Sequence, residues 1–289
     1  MVSGTKVCKL PPMEFRDKTV IVTGGSEGVG AATARAFAGA GANLVLVART
    51  RRKLEAIAEE LRGRTRVEIV PMDVAEPDAC ANLFRKAAYE FGAVHILVNN
   101  AGYHQRGPVT AVDTAELGRM IDVNLKSPIV LCRMAIPYLK EAGGGAIINV
   151  ASLAGRTPVP GAATYSASKF GLRAFTFALA EELVGTNIKV AALSPGPIDT
   201  GFIMSNIDVV TDLTFSQPLS TAEECAAEIM KLCTNGRRER SMPPVSGALT
   251  TATYLFPALG RLVRPLLEEE GRRVKRALKA KIKTEVSGG

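Results

Sequence analysis

The sequence predicts an α/β fold in which a parallel sheet is covered by helices on both faces. Three observations carry this. Short β-branched runs alternate with longer segments of helical periodicity as far as Pro195. The runs are apolar almost throughout, as strands buried on both faces must be. A glycine-rich turn joins the first run directly to the first helical segment.

In chain order, strands are predicted over Thr19 to Thr23, Asn43 to Ala48, Val67 to Met72, Ile96 to Asn99, Ala146 to Val150 and Lys189 to Leu193. Between them Val29 to Gly39, Arg52 to Leu61, Asp78 to Phe91 and Thr164 to Leu183 repeat apolar residues at helical spacing. This succession is that of a Rossmann-type, doubly wound sheet. After the sixth strand, Gly201 to Ser220 mixes Phe, Ile, Met and Val with polar residues and has no clean period, which reads as a lid or substrate loop. A helix is expected over Ala222 to Leu232, opened by Thr221 with Glu224 three residues on. The expected layout is an N-terminal extension over 1–16, one Rossmann-type domain over 17–250 and a C-terminal amphipathic and basic extension over 251–289.

The 289 residues, 47% of them hydrophobic, suffice for one large core and leave little for a second domain. No apolar stretch is long enough to span a bilayer, and the first twelve residues lack the apolar run of a secretory signal, so an intracellular, cytoplasmic protein is expected. Cys8, Cys80, Cys132, Cys225 and Cys233 are scattered and odd in number, which argues against a disulfide framework. With only His95 and His104 to add, no catalytic metal is expected. The formal charge of +8 does not mark a nucleic-acid binder, because nine Lys/Arg against three Glu between Arg261 and Lys283 hold most of the excess.

Thr23-Gly24-Gly25-Ser26-Glu27-Gly28-Val29-Gly30 follows a strand and opens a helix, the setting in which glycines let the backbone approach a pyrophosphate at a helix N-terminus. An NAD site of this kind carries an acid about 20 residues beyond the turn, to hold the ribose hydroxyls. Here that position is Arg49, and Arg51, Arg52 and Lys53 follow with no acid between Ala42 and Lys53. Cationic donors suit a 2'-phosphate, so NADP(H) is favoured over NAD(H).

The turn, Asn99-Asn100-Ala101-Gly102, Asn124, Ser152, Tyr165-x-x-x-Lys169 and Pro195-Gly196 together resemble the short-chain dehydrogenase/reductase (SDR) family over roughly Lys18 to Thr200. The resemblance implies a single domain with a sheet of about seven strands, assembled into homodimers or homotetramers. It also implies cofactor contacts from Thr23, Gly24, Ser26, Glu27, Gly28, Val29 and Gly30. Asp73 and Val74 are implied at the adenine, and Asn100, Ala101 and Gly102 along the ribose side. Tyr165, Lys169, Pro195, Gly196, Ile198 and Thr200 are implied near the nicotinamide. Soluble members end soon after a glycine-containing seventh strand; here Arg237-Arg238-Glu239-Arg240 leads to Ser241-Met242-Pro243-Pro244-Val245, and some forty further residues follow.

The chemistry asked of these residues is hydride delivery to a carbonyl carbon by the cofactor and a proton for its oxygen from the protein. Tyr165 is the acid. Its phenol titrates near about 10 when unperturbed, so a neighbouring cation is needed, and Lys169 lies one helical turn away. Ser152, just past the fifth strand, can donate to the substrate oxygen. Asn124 resembles the family asparagine that fixes a water beside the lysine. Ser152, Leu153, Tyr165, Pro197 and Phe202 are the expected substrate contacts, with an apolar substrate favoured by the lid's composition. His104, just after the Asn-Asn-Ala-Gly turn and facing the expected substrate mouth, is read first as an exposed loop residue and second as a substrate contact, and His95 as structural. A non-catalytic, redox-sensing or scaffold protein of the same fold is the alternative reading.

Tyr254, Leu255, Leu259, Leu262, Val263, Leu266 and Leu267 form an apolar stripe at helical spacing, followed by the basic run from Arg272 to Lys283. Peripheral contact with a membrane surface and packing on the parent domain or a partner subunit both fit that pattern.

Overall fold

The computed structural model describes residues 15–199, 207–208 and 210–287, with side chains to 279. Seven parallel strands form one sheet in the order β3-β2-β1-β4-β5-β6-β7. They are β1 Thr19–Thr23, β2 Asn43–Ala48, β3 Val67–Pro71, β4 Ile96–Asn99, β5 Gly145–Val150, β6 Ile188–Pro195 and β7 Glu239–Met242. Consecutive strands are separated by α1 Gly28–Gly39, α2 Arg51–Arg62, α3 Pro77–Phe91, α4 Thr114–Ile121 with α5 Ser127–Glu141, and α6 Ala163–Glu182. A short α7 Asp212–Phe215 and then α8 Ala222–Thr234 lie between β6 and β7.

Strict alternation of side chains divides each inner strand between two cores. On one face Val20, Val22, Leu44 and Leu46 pack with Phe37 of α1, Leu54 of α2 and Ile229 of α8. On the other, Ile21, Val45 and Val47 pack with Leu83 and Phe84 of α3 and Leu131 of α5. The predicted capping box at Thr221 is formed, with the Glu224 amide donating to Thr221 Oγ1 at 3.0 Å and the Thr221 amide donating to Glu224 Oε2 at 2.9 Å.

The seventh strand falls on the polar stretch where a glycine-containing strand had no counterpart. Glu239 to Met242 pair in register with Ala192 to Pro195, so the departure is one of composition only. An edge strand has one neighbour and need not be apolar on both faces. Its Glu239 is held instead by Arg173 at 2.8 Å, by Ser194 Oγ at 2.7 Å and by Arg156.

Beyond β7 the chain is helical: α9 Pro244–Leu255 and α10 Pro257–Ser287. Helix α10 lies on α7, where Val210 and Phe215 meet Ile207, Val274 and Leu278. Gly271 permits this approach, since a Cβ there would stand 1.8 Å from the Asp212 carbonyl oxygen. The predicted apolar stripe is therefore divided. Val263 and Leu267 face a cavity in the body of the protein, while Leu255, Leu262 and Leu266 are 63 to 75% exposed. Among the described residues, no helix is long and apolar enough to cross a membrane.

Candidate active site

The sheet order reverses direction between β1 and β4, and the carboxyl ends of strands at such a switch point open onto a crevice. A cavity of about 1010 Å³ occupies this position, walled by the turns after β1 to β6 and roofed by α9 and α10.

At one end lies the glycine turn. Gly24 and Gly28 adopt left-handed φ values of 65° and 53°, and a Cβ on Gly30 would stand 2.0 Å from the Gly24 carbonyl oxygen. Asn100 clamps the turn by donating from Nδ2 to the Thr23 carbonyl at 3.0 Å and to the Gly24 carbonyl at 3.2 Å. Thr23 Oγ1 accepts from the Asn100 and Ala101 amides at 3.0 Å each. Thr23 and Gly30 are thus buried braces of the turn, whereas Gly24, Ser26, Glu27, Gly28 and Val29 line the cavity. No side chain caps the first turn of α1, so its amides remain available to an anion.

Arg49 lines the cavity and Arg52 does not; Arg52 is exposed on the outer side of α2. Its successor Lys53, turned about 100° further round the helix, takes that place and pairs with Glu27 at 2.6 Å. Asp73 and Val74 line the same end. Burial raises the Asp73 carboxyl, but the Ala75 amide at 2.9 Å and the Arg119 guanidinium outweigh it and hold the group below its ordinary value. Gly102, Pro195, Gly196, Pro197, Ile198 and Leu153 also line the cavity, while Thr200 and Phe202 lie outside the described residues.

Toward the middle stand Ser152, Tyr165 and Lys169. Ser152 caps a turn after β5, its Oγ accepting from the Ala154 amide at 3.1 Å. Tyr165 and Lys169 share one face of α6, with the ammonium 5.8 Å from the phenol ring centre. Lys169 is 5% exposed and donates to the Val150 carbonyl at 2.8 Å. Burial alone pushes its ammonium down to about 8.

Asn124 sits behind this wall, fully buried, in a π-helical turn, Asp122–Lys126, that interrupts α4 and α5. Its Oδ1 accepts from the Tyr103 amide at 3.0 Å and its Nδ2 donates to the Tyr103 carbonyl at 2.8 Å and to Ser168 Oγ at 3.3 Å. A Cβ on Gly102 would lie 3.0 Å from Asn124 Oδ1 and 3.5 Å from Lys169 Nζ, so the glycine lets the two converge.

Two residues depart from the sequence expectation. His104 is not an exposed loop residue: its ring stacks on Tyr165 with centroids 4.2 Å apart and planes 10° from parallel, and the apolar contact leaves it half-buried. Burial, with Arg106 and Lys169 nearby, pushes the imidazole down to about 3, so it is neutral. Arg106, which the sequence did not single out, adds a cationic influence on the phenol to whatever the Lys169 ammonium, 5.8 Å from the ring centre, contributes. Burial raises the Tyr165 phenol, and what opposes that rise is the Ser152 hydroxyl and the Arg106 charge. Irregular loops give no period from which the inward turn of His104 and Arg106 can be read, and the only signal was their position just after the Asn-Asn-Ala-Gly turn.

A family model described as short chain dehydrogenase matches residues 18–208. The chain belongs to the short-chain dehydrogenase family. An uncharacterised oxidoreductase of Staphylococcus saprophyticus is 38% identical over 187 residues, covering 64% of this chain and 76% of that one. Sulfoacetaldehyde reductase 2 of Chromohalobacter salexigens is also 38% identical over 187 residues, covering 64% of this chain and 74% of that one. Among solved structures, a putative short-chain alcohol dehydrogenase from Sinorhizobium meliloti superimposes with a TM-score of 0.71 at 29% identity, over 85% of this chain and 99% of that chain. A metagenomic short-chain oxidoreductase in complex with NADP gives 0.68 at 32% identity, over 79% of this chain and 98% of that chain. The protein is thus an oxidoreductase of a family that binds NAD(P), and the matched region holds every residue of the glycine turn and of the Asn124, Ser152, Tyr165 and Lys169 set.

Proposed function

We propose that this short-chain dehydrogenase interconverts a carbonyl compound and its alcohol with NADP(H). The observation that carries the reading is one continuous cavity wall running from the glycine turn to Ser152, Tyr165 and Lys169. The cradle fits a dinucleotide: the turn closes this tightly only with glycine at 24 and 30, where a Cβ would meet the Asn100 side chain and the Gly24 carbonyl, and the amides opening α1 are uncapped. Gly24 to Val29 would hold the pyrophosphate, Arg49 the 2'-phosphate, Asp73 and Val74 the adenine, and Pro195 to Ile198 the nicotinamide. When bound, NADPH supplies the hydride that adds to the carbonyl carbon.

The chain's own residues handle the proton. Tyr165 gives its hydroxyl proton to the carbonyl oxygen as the C–O double bond is reduced, and the resulting phenolate is held by Ser152 Oγ, Arg106 and Lys169. In the oxidative direction the phenolate takes the alcohol proton. The His104 ring, flat against the phenol, fixes its plane without carrying charge. Asn124, locked on the Tyr103 backbone, positions a water beside Lys169 through which the phenolate regains its proton.

NADP(H) is favoured because Arg49 lines the cavity and makes no ion pair among the described residues, a free cation where an acid would serve NAD. The relative named for sulfoacetaldehyde reduction is in keeping with a carbonyl substrate. Leu153, Val159, Leu213, Leu249, Val263 and Leu267 give the substrate end apolar walls. In this reading residues 17–250 provide the catalytic domain and 251–289 an extension that roofs it.

The test is oxidation of NADPH, and separately of NADH, by the purified protein against a panel of ketones and aldehydes. Turnover with NADPH at a higher kcat/KM than with NADH is expected. Turnover with NADH alone would refute the cofactor assignment, and no turnover with any member would count against the enzymatic reading.

A further inference from the structure

Arg106 does more at this site than the reaction above requires. It stands in the loop after β4, half-buried, in the same cavity wall as His104, Ser152 and Tyr165. Arginines elsewhere at comparable depth are paired: Arg119 with Asp73, and Arg156 and Arg173 with Glu239. Among the described residues no carboxylate lies in ion-pair range of Arg106, and its guanidinium makes no hydrogen bond. A half-buried cation that faces a cavity and has no carboxylate partner is open to a ligand, and an oxyanion offers the bidentate geometry a guanidinium fits.

We propose that Arg106 is a specificity-determining residue that receives an oxyanionic group of the substrate, carried close to the reacting carbonyl. This inference rests on the reductase reading for what the anion is attached to. Closeness follows from the loop's path: His104, two residues before Arg106, stacks on the Tyr165 ring at 4.2 Å, and Arg106 lines the same cavity as that phenol, whose hydroxyl must meet the carbonyl oxygen. The apolar walls formed by Leu213, Leu249, Val263 and Leu267 then take the hydrocarbon remainder, so the substrate class is an oxo acid with an aliphatic part. Arg106 belongs to the loop that brings His104 onto Tyr165 and not to the glycine turn that would take the cofactor pyrophosphate, so it is assigned to the substrate rather than the dinucleotide.

Hexanoate and hexanamide share shape and differ in charge, and calorimetric titration of each into the full chain, alone and with NADP+, reads the anion site without turnover. Hexanoate is expected to bind about ten- to hundredfold more tightly than hexanamide, and Arg106→Gln to erase that difference while leaving NADP+ affinity unchanged. Equal binding of the two by the unaltered protein, or a preference that survives Arg106→Gln, would overturn the proposal. Reduction of levulinate against methyl levulinate supplies the kinetic arm. Arg106→Gln is expected to slow both through its effect on the phenol, and a loss on the acid that exceeds the loss on the ester, the excess partly restored in Arg106→Lys, supports recognition. Equal loss on both, with the pH profile moved to higher pH, would show that Arg106 acts only on the phenol. Hexanoate preference without NADPH turnover would remove the reductase reading and leave the anion site standing, and turnover without that preference would do the reverse.

Discussion

Replacing Lys169 by methionine removes a buried charge from the centre of the site while keeping an unbranched side chain of similar length. Burial takes the ammonium from its ordinary 10.5 down to about 8, a difference that corresponds to about 3 kcal/mol. The direction follows from linkage. Below pH 8 the lysine is charged in both folded and unfolded chains, so the whole cost of burying it is borne there. As pH rises from about 8 toward 10.5 the folded chain has released its proton while the unfolded chain still holds one, and the cost disappears. Methionine forgoes the hydrogen bond to the Val150 carbonyl, which returns about 1 kcal/mol. Lys169→Met is therefore expected to be inactive yet more stable by about 2 kcal/mol at neutral pH. Urea unfolding of cofactor-free protein at pH 7 and pH 10 measures this. A variant less stable at pH 7, or one whose advantage is undiminished at pH 10, would refute the reasoning.

Three further outcomes are expected. Arg49→Asp should raise KM for NADPH about ten- to hundredfold and improve the use of NADH, read from initial rates with each cofactor. Burial raises the Glu239 carboxyl, but Arg173, Arg156 and Ser194 more than reverse this, so its stabilisation is present above the ordinary value of 4.5 and is lost as pH falls through the depressed folded value. Glu239→Gln should cost about 2 kcal/mol near neutrality and flatten the acid limb of the stability profile followed by circular dichroism. The exposed Leu262 and Leu266, beside the basic run, should carry the chain upward with anionic vesicles in flotation, and Leu262→Glu combined with Leu266→Glu should leave it in the unbound fraction.

The first six strands and the helices between them were legible because each is buried on a defined face, and burial imposes a period on the sequence. Thr19–Thr23, Asn43–Ala48 and Ile96–Asn99 coincide with their expected limits, and Val67–Pro71 and Gly145–Val150 differ by one residue. The strand Glu239–Met242 left no such trace. Its partners are two arginines and a serine distant in sequence, and ion pairs have no periodicity. Likewise Tyr165 and Lys169 were singled out by the family resemblance and put on one face by helical spacing, whereas Arg106 and His104 owe their place to a loop whose path depends on tertiary contacts. Arg52 and Lys53 show the limit at one-residue scale: the basic cluster was evident, but which member faces inward was decided by the rotation of α2. Thr23 and Gly30 were correctly tied to the turn, yet they support it from behind.

The account stands on a phenol that gives a proton beside a bound nicotinamide. Stopped-flow reduction of a carbonyl substrate by Tyr165→Phe preloaded with NADPH tests this most directly. The account predicts NADPH affinity within about twofold of the unaltered protein and a hydride-transfer rate lower by about two to four orders of magnitude. A rate close to that of the unaltered protein, with the cofactor equally well bound, would contradict it.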